Sequence, residues 1–269
     1  MSDRAEYRVI TSLTNDTVKA VRALHMRKER DQTGTFLAEG LKFIGEALDQ
    51  GRAPRMLLVG EDARPHSLLD RAKAETRKAG GDIVVVTHAI LEKISRRDNP
   101  QTVLGVFDQA YAPLESLIPT SAPCWVALEQ VRDPGNLGAI IRTADAAGCG
   151  GVILIGDCVD PYSVEAVRAT MGSVFAVSIT KTTAEAFVAW RRSWPGSVVG
   201  TRLDATVSHR SAVMQKPVLV LMGNEQAGLT NQLAAVCDVN VKIPMRGRAD
   251  SLNLAIATGV MVYAATDDV

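Results

Sequence analysis

The sequence predicts a two-domain α/β protein: a small N-terminal α/β domain, then a C-terminal α/β domain with a mostly parallel sheet. The chain has 269 residues, which is enough for two ordinary domains. Strand-like and helix-like stretches alternate along it, as in α/β folds. In the C-terminal half the strand-like stretches are continuous apolar runs, which is typical of parallel strands covered on both faces.

The N-terminal part reads as alternating short elements. Asn15 or Asp16 can cap a helix in which Val18, Val21 and Leu24 recur at every third position. Predicted strands follow at 35–38, 55–59, 83–86 and 103–107, and predicted helices at 43–48, 67–79 and 88–94. We therefore expect an α/β domain over residues 1–110.

Residues 111–123 contain three prolines and show little periodicity, so they are predicted to be a linker. The C-terminal domain is expected over residues 124–269. Its predicted strands are 124–128, 152–155, 175–179, 198–201, 218–222 and 239–243, and its main predicted helices are 137–147, 183–194 and 251–266.

Composition excludes several classes of protein. Lys plus Arg and Asp plus Glu are 30 each, so a polybasic, histone-like binding mode is excluded for the chain as a whole. No apolar run approaches the ~20 residues of a membrane helix, and the first eight residues are not those of a secretory signal, so we expect a cytoplasmic protein without a membrane partner. Four cysteines without a CxxC pair and four histidines show no metal-ligand spacing, so no metal is expected. Neither a P-loop nor a dinucleotide-binding glycine loop is present.

The first informative segment follows the strand 124–128. Asp133, Pro134 and Gly135 form a tight turn, and a helix is predicted to start near Asn136, whose amide can cap it or face a ligand. Arg142 is a cation in an otherwise apolar helix. It is either a surface residue paired with a carboxylate or a functional group, and the preceding turn favours a function.

The second segment follows the apolar strand 218–222. Gly223 and Gly228 bracket a turn that holds one acid, Glu225. Such turns at the carboxyl ends of parallel strands line ligand crevices, although the pattern also fits ordinary strand-to-helix punctuation.

The third segment begins where Pro244 ends a strand. A polar loop follows, and Ser251 or Asp250 is predicted to cap the long apolar helix after it. Capping alone would explain Ser251. Asn253, expected within the helix, is less easily explained because asparagine competes with helical hydrogen bonds.

Together the three segments resemble the SpoU (TrmH-like) branch of the SPOUT RNA methyltransferases. Residues 133–144 match the family motif DPxNxGAxxRTA, and residues 222–228 match (L/M)GxExxG. Residues 243–245 and 251–253 match the IPM and SLN of the third motif. Residues 8–107 are similar, through a weaker pattern, to the family's N-terminal RNA substrate-binding domain.

The resemblance implies a deep trefoil knot near the C-terminus, a homodimer, and S-adenosylmethionine as the methyl donor for a ribose 2′-hydroxyl of RNA, with 23S rRNA favoured. The implied cofactor-binding residues are Met222, Gly223, Asn224, Ile243, Met245 and Leu252. The implied catalytic residues are Asn136, Arg142, Glu225, Ser251 and Asn253.

Two roles are open for Arg142. A guanidinium has a pKa above ~12, so it must either lose its proton through burial and neighbouring groups, or stay charged and stabilise the developing alkoxide. The family description favours proton removal assisted by an RNA phosphate. Asn136 and Asn253 are expected to orient Arg142 and the ribose, and Glu225 to hold Arg142 or a residue of the partner chain.

The N-terminal domain is expected to contact RNA phosphates, which position RNA without reading its sequence. The candidate residues are Lys19, Arg22, Arg27, Lys28, Arg30, Arg96 and Arg97. Each of them fits a solvated surface charge about as well.

Three alternative functions stay open. In the first, the chain methylates a ribose of tRNA instead of rRNA. In the second, the methyl acceptor is a base. In the third, the chain is a non-catalytic RNA-binding or ribosome-assembly protein. The intact Arg142 and the Ser251–Asn253 segment argue against the last, because a pure binder has no need of them.

Overall fold

The computed structural model describes residues 7–266. Its strands are β1 (Arg8–Ile10), β2 (Thr35–Glu39), β3 (Met56–Gly60), β4 (Asp82–Val86), β5 (Val103–Asp108), β6 (Cys124–Glu129), β7 (Gly151–Ile155), β8 (Ser178–Thr182), β9 (Val198–Thr201), β10 (Val207–Ser208), β11 (Val218–Met222) and β12 (Val239–Lys242).

Its α-helices are α1 (Asp16–Ala23), α2 (Arg27–Thr33), α3 (Leu41–Asp49), α4 (Ser67–Lys78), α5 (His88–Ser95), α6 (Pro134–Ala146), α7 (Val164–Thr170), α8 (Ala184–Arg191), α9 (Asn231–Ala234) and α10 (Leu254–Thr266). Within residues 7–266, no helix combines the length and the apolar character needed to cross a membrane.

The chain packs as two units. The first contains the residues up to Gln109 together with Tyr162–Ala176, and the second contains Ala110–Pro161 together with the residues from Val177 onward. The sequence-based domains 1–110 and 124–269, with a linker at 111–123, stay a prediction. Two short 3-10 helices lie within 111–123, and Leu114 in the first of them is buried.

The first unit is built on a five-stranded sheet in the order β1-β4-β3-β5-β2. The strands β1, β4 and β3 are parallel, and β5 runs antiparallel to both β3 and β2. Buried apolar side chains of β3, β4 and β5, such as Leu58, Val84 and Leu104, pack with those of α1 and α5 to form its core.

The second unit contains a seven-stranded sheet in the order β10-β12-β9-β11-β6-β7-β8, and every pairing in it is parallel. All residues of β6, β7 and β11 are buried. The continuous apolar runs predicted strands covered on both faces, and this part of the fold prediction is confirmed.

Tyr162 and Phe175, from the segment Tyr162–Ala176, complete an aromatic cluster of the first unit. The Phe36 ring centroid of β2 lies 4.6 Å from that of Tyr162 and 5.8 Å from that of Phe175. Phe107 of β5 lies 4.8 Å from Phe175. Aromatic pairs at these separations add to the free energy gained from burying the rings, so the cluster stabilises the segment on β2 and β5.

An ion pair joins the same segment to the end of β2. Arg168 of α7 donates from Nη2 to Glu39 Oε1 at 2.7 Å and to the carbonyl oxygen of Ser95 at 3.2 Å. The Glu39 side chain is only 3% exposed. A carboxylate this deeply buried depends on its partner, because an unpaired buried charge is costly.

The predicted strand 175–179 is wrong in its position. The chain forms a 3-10 helix over Ser173–Phe175, and β8 spans Ser178–Thr182. Met171 and Gly172 have positive φ angles of 53° and 109°, which break the extended backbone, and Phe175 is drawn into the aromatic cluster.

Two predicted helix caps are also corrected. Asp133, not Asn136, caps α6, because its Oδ1 accepts the Asn136 N–H at 2.6 Å. Asn253 precedes α10 and caps it by accepting the N–H groups of Ala255 and Ile256, so neither Ser251 nor Asp250 is the cap.

We predict that Arg168→Ala lowers the free energy of unfolding by about 3 kcal/mol, because it leaves the Glu39 carboxylate buried without its main partner. Urea unfolding followed by circular dichroism measures this. The control is Arg71→Ala, which removes an ion pair to Asp49 that is also short, at 2.6 Å, but has both side chains about half exposed. The control should cost less than about 1 kcal/mol. Equal losses in the two variants would contradict the prediction.

Candidate active site

A cavity opens at the carboxyl ends of β9, β11 and β12. Thr201, Met222 and Lys242, the last residues of these strands, all line it. Ligand crevices of parallel sheets lie at this edge, because the loops that follow the strands converge there. All six predicted cofactor-binding residues contribute to the lining: Met222, Gly223, Asn224, Ile243, Met245 and Leu252.

Gly223 begins the loop 223–230 on one side of the cavity. A Cβ atom at this position would overlap main-chain atoms of Gly228 and Leu229. The loop folds back on itself here, since Asn224 and Gly228 exchange main-chain hydrogen bonds of 3.1 and 2.9 Å. Gly228 has a φ of 68°, a conformation that favours glycine. The two glycines of this motif are therefore required by the close return of the loop.

The Asn224 side chain holds the same turn. Its Oδ1 accepts the N–H groups of Gln226 and Ala227, and its Nδ2 donates to the carbonyl oxygen of Gln130 at 2.7 Å. Gln130 follows β6 and has a φ of 49°, which is uncommon for a residue with a side chain. Asn224 thus ties the loop after β11 to the turn after β6.

The Glu225 carboxylate also ties the loop after β11 to the turn after β6, and it does so with more hydrogen bonds. It accepts the main-chain N–H groups of Arg132 and Asp133 at 3.2–3.3 Å, and the side-chain amides of Asn136 and Asn224 at 3.4 Å. Arg142 is not among its partners within residues 7–266, and the other expected partner of Glu225, a residue of the partner chain, stays a prediction. The carboxylate fixes the turn that begins α6.

Asn136 and Asn253 join the third segment to the first two. Asn253 donates from Nδ2 to Asn136 Oδ1 at 2.8 Å, and Asn136 donates from its own Nδ2 to Glu225. The chain of contacts Glu225–Asn136–Asn253 therefore runs through all three sequence motifs. Because Glu225 also lines the cavity, the motifs meet at its edge.

Two residues that the motifs did not indicate anchor the far end of the loop 223–230. Glu129, the last residue of β6, is buried and accepts both the N–H and the hydroxyl of Thr230 at 2.8 Å. Thr230 in turn caps α9. An acid at the end of an otherwise apolar strand was the available signal, since a buried carboxylate needs partners.

Arg142 and Ser251 are placed differently. Arg142 is exposed on α6, and among residues 7–266 its side chain forms neither a hydrogen bond nor an ion pair. It is not the carboxylate-paired surface arginine of the alternative interpretation. Ser251 lines the cavity, and its hydroxyl contacts Asp250 Oδ1 at 3.3 Å. Neither side chain takes part in the series of hydrogen bonds that links Glu225, Asn136 and Asn253.

Arg202 and Asp204 form a charged pair at the cavity that the sequence did not indicate. Arg202 lines the cavity and donates from two nitrogens to the Asp204 carboxylate, each at 2.8 Å. Hydrogen bonding to the guanidinium lowers the pKa of Asp204 and raises the pKa of Arg202. Arg202 also donates to Asn231 at the start of α9, which fixes its orientation.

Two of the four thiols are poorly suited to act as nucleophiles, and residues 7–266 hold no cluster of metal ligands. Burial raises the pKa of Cys158, and raises that of Cys237 to about 12, so these thiols stay protonated at neutral pH. No group of three or more His, Cys, Asp or Glu side chains within residues 7–266 is arranged to hold a metal ion.

The predicted RNA-contacting residues all belong to the first unit. Lys19 and Arg22 lie on α1, Arg27 and Lys28 on α2, and Arg96 and Arg97 follow α5. Of these six side chains, only that of Arg22 is not exposed. The expectation that Arg30 contacts RNA is corrected. Arg30 is 3% exposed and donates from Nη1 to the carbonyl oxygen of Leu24, so it has a structural role.

Comparison with known families matches both parts of the chain. Residues 123–263 match the SpoU rRNA Methylase family, and residues 15–105 match the MRM3-like substrate binding domain.

Similar proteins extend over nearly the whole chain. The 23S rRNA (guanosine(2553)-2′-O)-methyltransferase RlmP of Bacillus subtilis is 30% identical over 94% of this chain and 97% of its own. The crystal structure of an AdoMet-bound rRNA methyltransferase from Sinorhizobium meliloti is 48% identical, with a TM-score of 0.90 over 96% of this chain and 97% of that one. The AdoMet complex of the SpoU methyltransferase AviRb from Streptomyces viridochromogenes is 30% identical, with a TM-score of 0.82 over 94% and 97%.

We predict that Gly223→Ala abolishes measurable binding of S-adenosylmethionine, because the added methyl group forces the loop 223–230 away from its present path. Isothermal titration calorimetry measures the binding. The control is Gly259→Ala, since a Cβ there would lie at an ordinary 3.7 Å from Thr143 Cγ2. The control should bind as the wild type does. Wild-type affinity in Gly223→Ala would show that the loop does not form the cofactor site.

Proposed function

The chain belongs to the SpoU rRNA methylase family and is an S-adenosylmethionine-dependent RNA 2′-O-methyltransferase, and we propose that its substrate is 23S rRNA. The proposed substrate rests on the similar enzymes that are named for 23S rRNA, and the observation that supports methyl transfer at this cavity is the series of hydrogen bonds Glu225–Asn136–Asn253 at its edge. It brings together the three motifs that are otherwise far apart in sequence.

The residues around the cavity fit the cofactor. Gly223 lines the cavity, and Met222, Val241, Leu252 and Leu254 provide apolar surface for an adenosyl group. When bound, S-adenosylmethionine supplies an activated methyl group on a sulfonium. The chain must then orient the ribose hydroxyl in line with that methyl group and help remove the hydroxyl proton.

For Arg142, the proposal is electrostatic stabilisation. Its exposed guanidinium has no partner within residues 7–266, so its donors are available to an RNA phosphate and to the developing alkoxide. The second candidate role, proton removal by neutral Arg142, would need burial or cationic neighbours, which binding of RNA or of a second subunit would have to supply. Asn136 and Asn253 are proposed to orient the ribose, and Ser251 to contact the cofactor or the substrate.

For the substrate, 23S rRNA is favoured over tRNA because the similar B. subtilis and S. viridochromogenes enzymes are named for methylation of 23S rRNA. The first unit is proposed to contribute phosphate contacts through the exposed residues Lys19, Arg27, Lys28, Arg96 and Arg97, with Arg22 beside them. Work on rRNA would place the enzyme in the cytoplasm.

A homodimer is part of the proposal. Helix α10 is apolar on all sides, and its outward-facing Ile256 and Tyr263 are 58% and 49% exposed. They are seven residues apart and so share one face of the helix. An exposed apolar helix face of this kind suits a second copy of the chain.

We also propose the trefoil knot. Strand β12 lies between β10 and β9 in the sheet, and α10 then packs against α6, β11 and β6. This return of the chain across earlier elements supports a threaded C-terminal segment.

The direct test is methylation of an unmodified 23S rRNA transcript with radiolabelled S-adenosylmethionine, followed by nucleoside analysis. We expect one 2′-O-methylated nucleoside. A methylated base would favour another SPOUT branch, and incorporation into tRNA alone would favour the tRNA alternative. Binding of RNA without any transfer would favour a non-catalytic role.

We predict that Arg142→Ala lowers kcat at least about 100-fold while leaving S-adenosylmethionine binding within about twofold, because the removed group acts on the transition state. Single-turnover assays and calorimetry measure the two quantities. Arg192→Ala is the control, since Arg192 is also exposed in the second unit but does not line the cavity. Near-normal turnover of Arg142→Ala would remove Arg142 from the mechanism.

We predict that the double substitution Ile256→Glu/Tyr263→Glu converts the dimer to a monomer, because it places charges on the apolar face of α10. Sedimentation velocity at micromolar concentration measures the change. The control is Ile118→Glu, whose side chain is 64% exposed outside this helix and should leave the dimer intact. A monomeric wild-type protein would contradict the proposed dimer.

A further inference from the structure

The segment 246–250 leaves the rim of the cavity and returns to it. Met245 before it and Ser251 after it both line the cavity, whereas all five residues between them are exposed. We call this segment the arginine loop, because it contains Arg246 and Arg248.

The arginine loop is held weakly by the rest of the chain. Within the described part of the chain, residues 243–252 make no main-chain hydrogen bond to another main-chain group. The side-chain contact from Ser251 to Asp250 is internal to the segment. A segment with few hydrogen bonds and exposed residues has low local stability and can adapt its conformation to a ligand.

The two guanidinium groups of the arginine loop are available for binding. Over residues 7–266, neither Arg246 nor Arg248 forms a hydrogen bond or an ion pair. Other arginines of the same unit are neutralised by aspartates, as Arg132 is by Asp157 at 2.9 Å and Arg202 by Asp204 at 2.8 Å.

The arginine loop and the residues next to it in sequence are mostly positively charged. Residues 242–253 contain three basic side chains, Lys242, Arg246 and Arg248, and one acid, Asp250. A guanidinium offers several donors in a planar arrangement that matches a phosphate group. The surface beside the methyl-transfer cavity therefore favours an anion.

We propose that Arg246 and Arg248 bind the phosphates that flank the target nucleotide and so hold its ribose at the cavity. This inference rests on the proposed methyl transfer to RNA. The two residues are separated by one position, so along an extended chain their Cα atoms lie at most about 7 Å apart. That separation lets them reach neighbouring phosphates of one strand. Because Met245 and Ser251 join the arginine loop to the cavity, the bound phosphates belong to the nucleotide being modified or to its neighbours.

The contacts are to the RNA backbone and carry no sequence information. The arginine loop thus adds affinity and position at the catalytic unit, while the choice of target nucleotide lies elsewhere. Arg142, whose exposed side chain also lacks a partner within residues 7–266, would act on the reacting ribose rather than on the flanking backbone.

The test compares the full-length wild type with Arg246→Gln/Arg248→Gln in equilibrium binding to an unmodified 23S rRNA transcript at several salt concentrations. Each phosphate contact contributes about 0.7–0.9 to the slope of log K against log salt concentration. We expect the double variant to bind at least about tenfold more weakly at low salt and its slope to be smaller by about 1.4–1.8. The control is Arg192→Gln, which removes one exposed arginine of the same unit that lies outside the cavity and has no side-chain partner among residues 7–266, and it should retain the wild-type slope.

A second measurement separates RNA phosphate from the carboxylate of the cofactor. Calorimetric titration with S-adenosylmethionine in the absence of RNA should give the same affinity, within about twofold, for the double variant and the wild type. A large loss of cofactor affinity would assign the arginines to the cofactor and overturn the inference. An unchanged salt slope, or a wild type that does not bind the transcript, would overturn it as well.

These binding measurements do not require turnover. If the wild type binds the transcript and the double variant loses the expected salt slope, but no methyl group is transferred, the proposed function fails while the phosphate-binding role of the arginine loop stands. If methyl transfer occurs and the slopes are equal, only the inference about the arginine loop fails.

Discussion

The Glu225 carboxylate is the contact on which the geometry of the active site depends. It accepts two main-chain N–H groups from the turn that begins α6 and one side-chain amide from each of two asparagines. The loop that carries it follows β11, and the turn that it holds follows β6, the neighbouring strand in the sheet. With its oxygens occupied in this way, the carboxylate orients the turn that begins α6 and the side chains of Asn136 and Asn224. Asn253 joins the arrangement through Asn136, so the start of α10 depends indirectly on the same acid.

Around this contact the second unit combines rigid and adaptable parts. Buried parallel strands fix where each loop begins, and the pair of Glu129 and Thr230 fixes where the loop 223–230 ends. The segment 243–252 after β12 makes no main-chain hydrogen bond to another main-chain group of residues 7–266. The loop 223–230 is thus held in place by the sheet and by the turn after β6, while the segment 243–252, which carries Ile243, Met245 and Leu252 of the proposed cofactor site, can adjust. Preorganisation of this kind reduces the cost of ordering the site when its ligands bind.

The parts of the structure that the sequence predicted are those governed by local rules. Continuous apolar runs identified β6, β7, β9 and β11, and the motifs identified the loop with Gly223 and Glu225. Prediction failed where distant residues decide the outcome. Phe175 was assigned to a strand, yet it packs with Phe36 and Phe107, which precede it by more than sixty residues. Arg30 was assigned to the surface with its charged neighbours because nothing local shows that it donates to the carbonyl of Leu24. The roles of Asp133 and Asn253 as caps were missed because several adjacent polar residues suited the same position.

The way in which Tyr162–Ala176 packs with the first unit bears on how chimeric enzymes should be built. A graft that exchanged only residues 1–110 between relatives would pair a foreign β2 and β5 with the resident Tyr162, Phe175 and Arg168. Those three side chains would then meet surfaces that did not evolve with them, and Arg168 would lose its ion pair wherever the grafted β2 lacks an acid at position 39. An exchange of the substrate-binding unit between such enzymes therefore has to include two segments of the chain, the residues up to Gln109 and Tyr162–Ala176, even though the second segment lies within the sequence of the methyltransferase domain.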